Sequence, residues 1–381
     1  MLQTLELRDF KCFTHLTLEL SSITILAGVN GAGKSTIIQS LILLHQALAE
    51  GVGHGERRKA LPLVGPLVSV GTVREVVNQN AGARKFGIAL TADHVTMDWS
   101  FERGDDSRAL DAKVVELRWR TGKAPELLPP AASKACPGLV EMLKTLKYVP
   151  ADRVGPAEAY PLLEAVRHRS LGPRAERAVG VLYWQGRDLD VTESLRHPDP
   201  DVVPKLLEQT QAYLRDLFPQ TSIVVTEISG ANLCTLGVRT RDEQSFHRPL
   251  NVGFGITYTL PIVVALLSAG PGGLVVIENP EAHLHPKAQV LLARLIVRYG
   301  ASGGQVLLET HSDHIVNAVR VAVAKQVIEP GRIALHWLEP DPETGTVTPR
   351  RISINARGRL SERPDGFFDE IERQLGKLYD A

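Results

Sequence analysis

Gly28-Val29-Asn30-Gly31-Ala32-Gly33-Lys34-Ser35 is the stretch on which the reading of this chain turns. A short apolar run, Ile23 to Leu26, leads into it, and a helical pattern, Ser35 to Ala49, leads out. The spacing is G-x-x-x-x-G-K-[ST] in a strand–turn–helix context, which is the context this motif requires. Its glycines let backbone N–H groups turn inward on phosphate oxygens, and the helix start adds partial positive charge. Asn30, Gly31, Ala32, Gly33 and Thr36 are then expected to line the cradle. Lys34 would reach the β- and γ-phosphates and Ser35 would hold Mg²⁺, so ATP and Mg²⁺ are the expected ligands.

Two more motifs follow in order. The apolar run Leu274 to Ile277 ends in Glu278-Asn279-Pro280-Glu281. A buried strand that ends in a carboxylate suits Mg²⁺, held directly or through water, and Glu278 is the candidate. Next come His283 and His285, two positions apart. Residues so spaced do not face each other on a helix, and no third ligand is evident, so a loop role is favoured over a metal site. The last motif is Glu309-Thr310-His311-Ser312-Asp313, after a short apolar strand. A histidine at a strand end can sense a γ-phosphate; taken alone, such a histidine is more often structural.

Composition sets the outer limits. The chain has 381 residues and is 44% hydrophobic, enough for two lobes or one large α/β domain with an insertion. Its 43 basic and 43 acidic residues cancel, which gives no global argument for nucleic acid or an anionic membrane. Cys12, Cys136 and Cys234 stand far apart and read as reduced thiols of a cytoplasmic protein. The longest apolar stretch, Leu260 to Leu267, is far short of the roughly 20 residues of a spanning helix. Leu2, Leu5 and Leu7, then Leu16, Leu18 and Leu20, alternate as strands, and Val95 to Arg120 reads as further strands. Lys205 to Phe218 is an amphipathic helix, and no heptad seam supports a coiled-coil arm. Lys287 to Tyr299 and Asp313 to Gln326 read as helices between strands, which argues for a largely parallel sheet.

The order GVNGAGKS, IENPEAHLHP, ETHSDH resembles the ABC-type ATPases of the SMC, Rad50 and OLD group. It is most similar to the small bacterial members with a DUF3696 segment. LELRDFKCF at the start, YVPADRVGP at Tyr148 to Pro156, and ISINARGRLSERPDGFFDE at Ile352 to Glu370 support the likeness. The resemblance implies an α/β fold, a P-loop NTPase of ABC-head type with a mixed or parallel sheet and an inserted helical lobe. The implied divisions are 1–150 (first part of the ATPase lobe), 151–245 (inserted lobe), 246–340 (second part) and 341–381 (DUF3696-like tail). It also implies that two heads associate head to tail around two ATP molecules, as a homodimer or higher oligomer. A signature segment then caps the partner's nucleotide; here it falls at Asn251, Gly253 and Gly255, though a plain glycine loop before a core helix is the other reading. His311 becomes the switch histidine, and Gln79 the candidate Q-loop glutamine near the metal.

One departure matters. Brisk hydrolysers of the group place a glutamate directly after the Mg²⁺ acid, where Asn279 stands here. An amide can orient water but cannot take its proton. Glu281, two residues on, is the candidate substitute, and slow turnover is expected. The resemblance points to a sensor or regulatory subunit in bacterial anti-phage defence or DNA surveillance, with a separate effector such as a nuclease. The tail acids Asp365, Asp369, Glu370 and Glu372 look more like part of a docking helix than a nuclease site. Arg167, His168, Arg169, Arg174 and Arg177 could meet DNA phosphates or simply form a solvated face. An ATP-gated scaffold with protein partners only is the alternative; no membrane partner is expected.

Overall fold

The structure, a computed structural model, describes residues 1–49, 59–78, 82–104, 106, 108–163, 170–241, 245–364 and 366. The chain opens with β1 (Leu2–Phe10), β2 (Phe13–Glu19), β3 (Ile23–Gly28) and α1 (Lys34–Ala49). There follow β4 (Ala60–Pro62), α2 (Val73–Val76), β5 (Lys85–Ala92), β6 (Val95–Glu102), β7 (Asp111–Trp119) and β8 (Gly122–Ala124). Next come α3 (Pro130–Ala135), α4 (Pro137–Thr145), β9 (Lys147–Val149), β10 (Tyr160–Pro161), α5 (Ala178–Gln185) and α6 (Leu206–Leu217). After β11 (Ser222–Ile228) and β12 (Leu233–Arg239) the chain enters α7 (Phe254–Ala269) and β13 (Leu274–Glu278). It closes with α8 (Pro286–Ala301), β14 (Gln305–Glu309), α9 (Asp313–Ala324), β15 (Ile333–Leu338) and β16 (Arg350–Ile352).

The central sheet has the order β16-β15-β3-β14-β13-β9, parallel throughout except for β16. Its inner strands are apolar runs because both faces are covered. Val275 and Ile277 of β13 point into one core with the helices, while Leu274 and Val276 point into the other. Val306 and Leu308 divide from Leu307 in the same way on β14. The first core holds α5 to α9, and the second holds α1, α4 and an antiparallel sheet of order β2-β1-β5-β6-β7-β4. The alternating leucines of β1 and β2 supply that sheet's buried face: Leu2, Leu5, Leu7, Leu16 and Leu18 are almost fully buried.

Residues 151–245 combine α5 and α6 with a three-stranded sheet of order β10-β12-β11. In the last segment β16 adds antiparallel to β15, and an isolated bridge joins Ile354 to Leu360. Asp365, Asp369, Glu370 and Glu372 lie outside the described residues, as do Gln79, Arg167, His168 and Arg169. Among the described residues no helix is long and apolar enough to cross a membrane.

Candidate nucleotide site

β3 delivers the glycine loop to the C-terminal edge of the central sheet. At Gly28 φ is +143°, and a Cβ there would sit 1.9 Å from the carbonyl oxygen of Leu338. Only glycine allows β15 to press so closely on the start of the loop. Gly33, at φ +85°, would drive a Cβ to 2.7 Å from the Phe13 ring and 2.8 Å from Cys12 Sγ. The loop then turns directly into α1, with Asn30 and Gly31 exposed and Ala32 buried beneath them. Lys34 is buried, and its Nζ donates to the carbonyls of Gly28 at 3.0 Å and Val29 at 2.9 Å. Burial lowers its pKa, with Glu309 pulling the other way. Thr36 Oγ1 lies 3.9 Å from Cys12 Sγ.

The carboxylate that meets Ser35 is that of Glu309. The Ser35 hydroxyl donates to Glu309 Oε2 at 3.3 Å. Glu309 is 6% exposed, and burial, then the neighbouring Glu278, push its pKa up to about 7 against Lys34 and Ser35. Glu278 and Glu309 are register partners at the ends of β13 and β14. Glu278 instead accepts from the Tyr148 hydroxyl at 2.9 Å and the Ala151 N–H at 3.3 Å. Its pKa is raised by burial, with those two bonds and Arg153 opposing.

Arg153 is fully buried beneath this turn. Its guanidinium donates to the carbonyls of Pro150 at 2.9 Å, Glu278 at 2.7 Å and Asn279 at 2.8 Å. It also lies 5.4 Å from the centre of the Tyr258 ring on α7. Burial lowers its pKa to about 10, so it stays charged near neutral pH. Asn279 sits at φ +44°, donates its N–H to the Glu309 carbonyl at 2.9 Å, and buries an Oδ1 that has no partner. Glu281 accepts from the Thr310 hydroxyl at 2.8 Å and from the His311 N–H at 2.7 Å. His311 is exposed; its pKa is lowered by partial burial and then by Lys34, with Glu281 opposing.

The remaining sequence candidates fall elsewhere. His285 caps α8, accepting from the Lys287 N–H, and His283 packs edge-on to Tyr258, 4.5 Å between ring centres. Among the described residues no cluster of three or more His, Cys, Asp or Glu could hold a metal. Asn251 and Gly253 are exposed and Gly255 is buried at the start of α7. Gly253 and Gly255 line a depression with Phe254, Phe218, His283 and His285. Arg174 pairs with Asp152 and Arg177 with Glu176.

Sequence reading missed Tyr148, Arg153 and Glu309. The signal for Glu309 was present: two buried apolar strands each ended in a glutamate, but only the first acid was weighed. The oxygen donors gathered here, a serine hydroxyl and two carboxylates beside an ammonium, fit a hard Mg²⁺ ion bound with phosphate.

Comparison with known proteins agrees with this geometry. Residues 4–106 match a family described as "AAA domain". Residues 173–317 match "AAA domain, putative AbiEii toxin, Type IV TA system". Residues 328–378 match "Protein of unknown function (DUF3696)". No curated protein matches the sequence. Among solved structures, an SMC head bound to the C-winged helix domain of ScpA is 12% identical, covering 92% of this chain and 98% of that one, with a TM-score of 0.54. The SMC head domain from Thermotoga maritima is 12% identical over 93% of this chain and 99% of that one, with a TM-score of 0.45. The first of these likenesses concerns the fold alone. The chain is thus similar to AAA-domain families over the part that holds the glycine loop and over the part that holds both acidic strand ends, to DUF3696 over the part that holds β15 and β16, and to an SMC head in its fold.

Proposed function

We propose that the protein binds and hydrolyses ATP, dimerises around it, and acts as a sensor or regulatory subunit controlling a separate effector in bacterial anti-phage defence or DNA surveillance. The observation that carries this reading is the gathering of Lys34, Ser35, Glu278, Glu309 and His311 at one edge of three neighbouring parallel strands. Mg²⁺, when bound, neutralises phosphate charge; Ser35 and Glu278 are the residues to hold it. Lys34 exchanges its two loop carbonyls for phosphate oxygens. Glu281 braces the turn that presents His311. Phe254, 53% exposed beside Gly253 and Gly255, belongs to the surface offered to a second copy's nucleotide.

The description of the family matched over 173–317, a toxin of a toxin–antitoxin system, supports the defence role. Direct DNA contact draws little support from Arg174 and Arg177, whose charges are already paired. Asn279 is the one feature that favours the alternative of an ATP-gated scaffold without turnover.

The test is nucleotide binding and mass in solution for the wild type and Lys34→Ala. The wild type should bind ATP and shift from monomer to dimer, and Lys34→Ala should do neither. Binding that survives Lys34→Ala would overturn the ATP site, and binding without a mass change would overturn dimerisation around nucleotide.

A further inference from the structure

We infer that Glu309 is the catalytic carboxylate of this site, the group that orients and deprotonates the attacking water where Asn279 cannot. The inference rests on the ATP reading above and goes beyond it by naming the base.

The first argument is topology. β14 lies between β3 and β13, so its last residue is nearer the glycine loop than the last residue of β13. The Cα partner of Glu309 on β3 is Leu26, two residues before the loop begins at Gly28.

The second argument is what each carboxylate is already doing. Both oxygens of Glu278 accept hydrogen bonds, from Tyr148 and Ala151. Both oxygens of Glu281 accept as well, from Thr310 and His311. That leaves Glu281 braced against the neighbouring turn and a poor stand-in for the missing base. Glu309 accepts only from Ser35, through Oε2, and its other oxygen has no hydrogen-bond partner among the described residues. Among the described residues it is the one acid of the three with an oxygen that accepts no hydrogen bond, and its other oxygen meets the Ser35 hydroxyl at the start of the phosphate-binding helix.

The chemistry then balances without a further reactant. The water oxygen forms a bond to the γ-phosphorus, and the bond from that phosphorus to the β,γ-bridging oxygen breaks. ADP leaves with that oxygen. The water proton passes to Glu309 and from there to the released phosphate, which restores the carboxylate.

The experiment uses the purified full chain, with ATP turnover and Mg²⁺-dependent binding of a fluorescent ATP analogue measured side by side. Glu309→Gln keeps the shape and the Ser35 contact but cannot take a proton. It should bind the analogue within about threefold of wild type while turnover falls at least about 100-fold, as expected for loss of a general base. Glu281→Gln should lose less than about tenfold by the same measure of acid–base contribution. Should Glu309→Gln fail to fold, Glu309→Asp carries the test: binding retained, with turnover down about tenfold or more because the carboxylate is set back by one methylene.

Glu309→Gln that turns over within tenfold of wild type, or that no longer binds the analogue, overturns the inference. So does a larger loss in Glu281→Gln, or a wild type with no turnover above the Lys34→Ala blank. Failure of the ATP reading looks different: the wild type itself would show no Lys34-dependent binding.

Discussion

β13 and β14 are neighbouring parallel strands of five residues each, and each ends in a buried or half-buried glutamate at the same register level. Their carboxylates nonetheless have opposite fates. The turn after β13 leaves through Asn279 at φ +44°, a backbone conformation that asparagine tolerates better than most residues. Arg153 then captures the carbonyls of Glu278 and Asn279, while Tyr148 and Ala151 take up the Glu278 side chain. The turn after β14 is held by Glu281 through Thr310 and His311, which leaves the Glu309 side chain directed at Ser35. The lesson is that a strand-end acid takes its role from what the following turn donates to it, and a motif position alone does not decide that role.

The largest expected effect comes from removing the clamp on the first turn. Arg153→Ala would strip three carbonyls, one buried and two partly buried, of their donor and leave a cavity. A loss of roughly 3–5 kcal/mol of stability is expected, read as a lower midpoint in urea denaturation. Arg153→Lys should recover little of it, because an ammonium lacks the planar fork that reaches separate carbonyls. An unchanged midpoint in Arg153→Ala would mean that the two turns are held alike, and the contrast would dissolve.

A smaller effect separates the two acids themselves. Tyr148→Phe removes a 2.9 Å bond to Glu278 within a buried setting. It should cost about 1–2 kcal/mol in the same denaturation experiment. Ser35→Ala removes a 3.3 Å bond from an exposed serine to Glu309 and should cost less than about 0.5 kcal/mol in the absence of nucleotide. The reverse order would place the engaged carboxylate on β14 and the free one on β13.

The glycine loop, the strand before it, both acidic strand ends and the helices α8 and α9 were legible in the sequence. Buried parallel strands read as apolar runs with sharp stops, and the helices carry local caps such as His285 and Ser312. What was not legible depends on residues far apart in the chain. Ser35 meets Glu309 across 274 positions, and Arg153 reaches Glu278 across 125. Neither follows from spacing, because the placement of β14 between β3 and β13 is a property of sheet order. The pair His283 and His285 shows the converse. Their spacing spoke for loop residues over a metal site but not for what each one does: one caps α8 and the other packs on Tyr258.

The sharpest probe of the contrast is a substitution from which no gain in turnover is expected. Asn279→Glu restores an acid at the position where brisk hydrolysers of the resembling group carry one. If the reacting water lay against the first turn, this change would accelerate turnover. The geometry argues otherwise. Glutamate is less at ease than asparagine at φ +44°, at a cost of about 1 kcal/mol. Asn279 Oδ1 is buried without a partner, so a carboxylate there would face desolvation with no compensating donor. Asn279→Glu should therefore be slightly less stable, by about 1–2 kcal/mol, with turnover no higher than wild type. A gain of tenfold or more would relocate the water to β13, and Glu309 would become a holder of Ser35 and Mg²⁺ with no proton to accept.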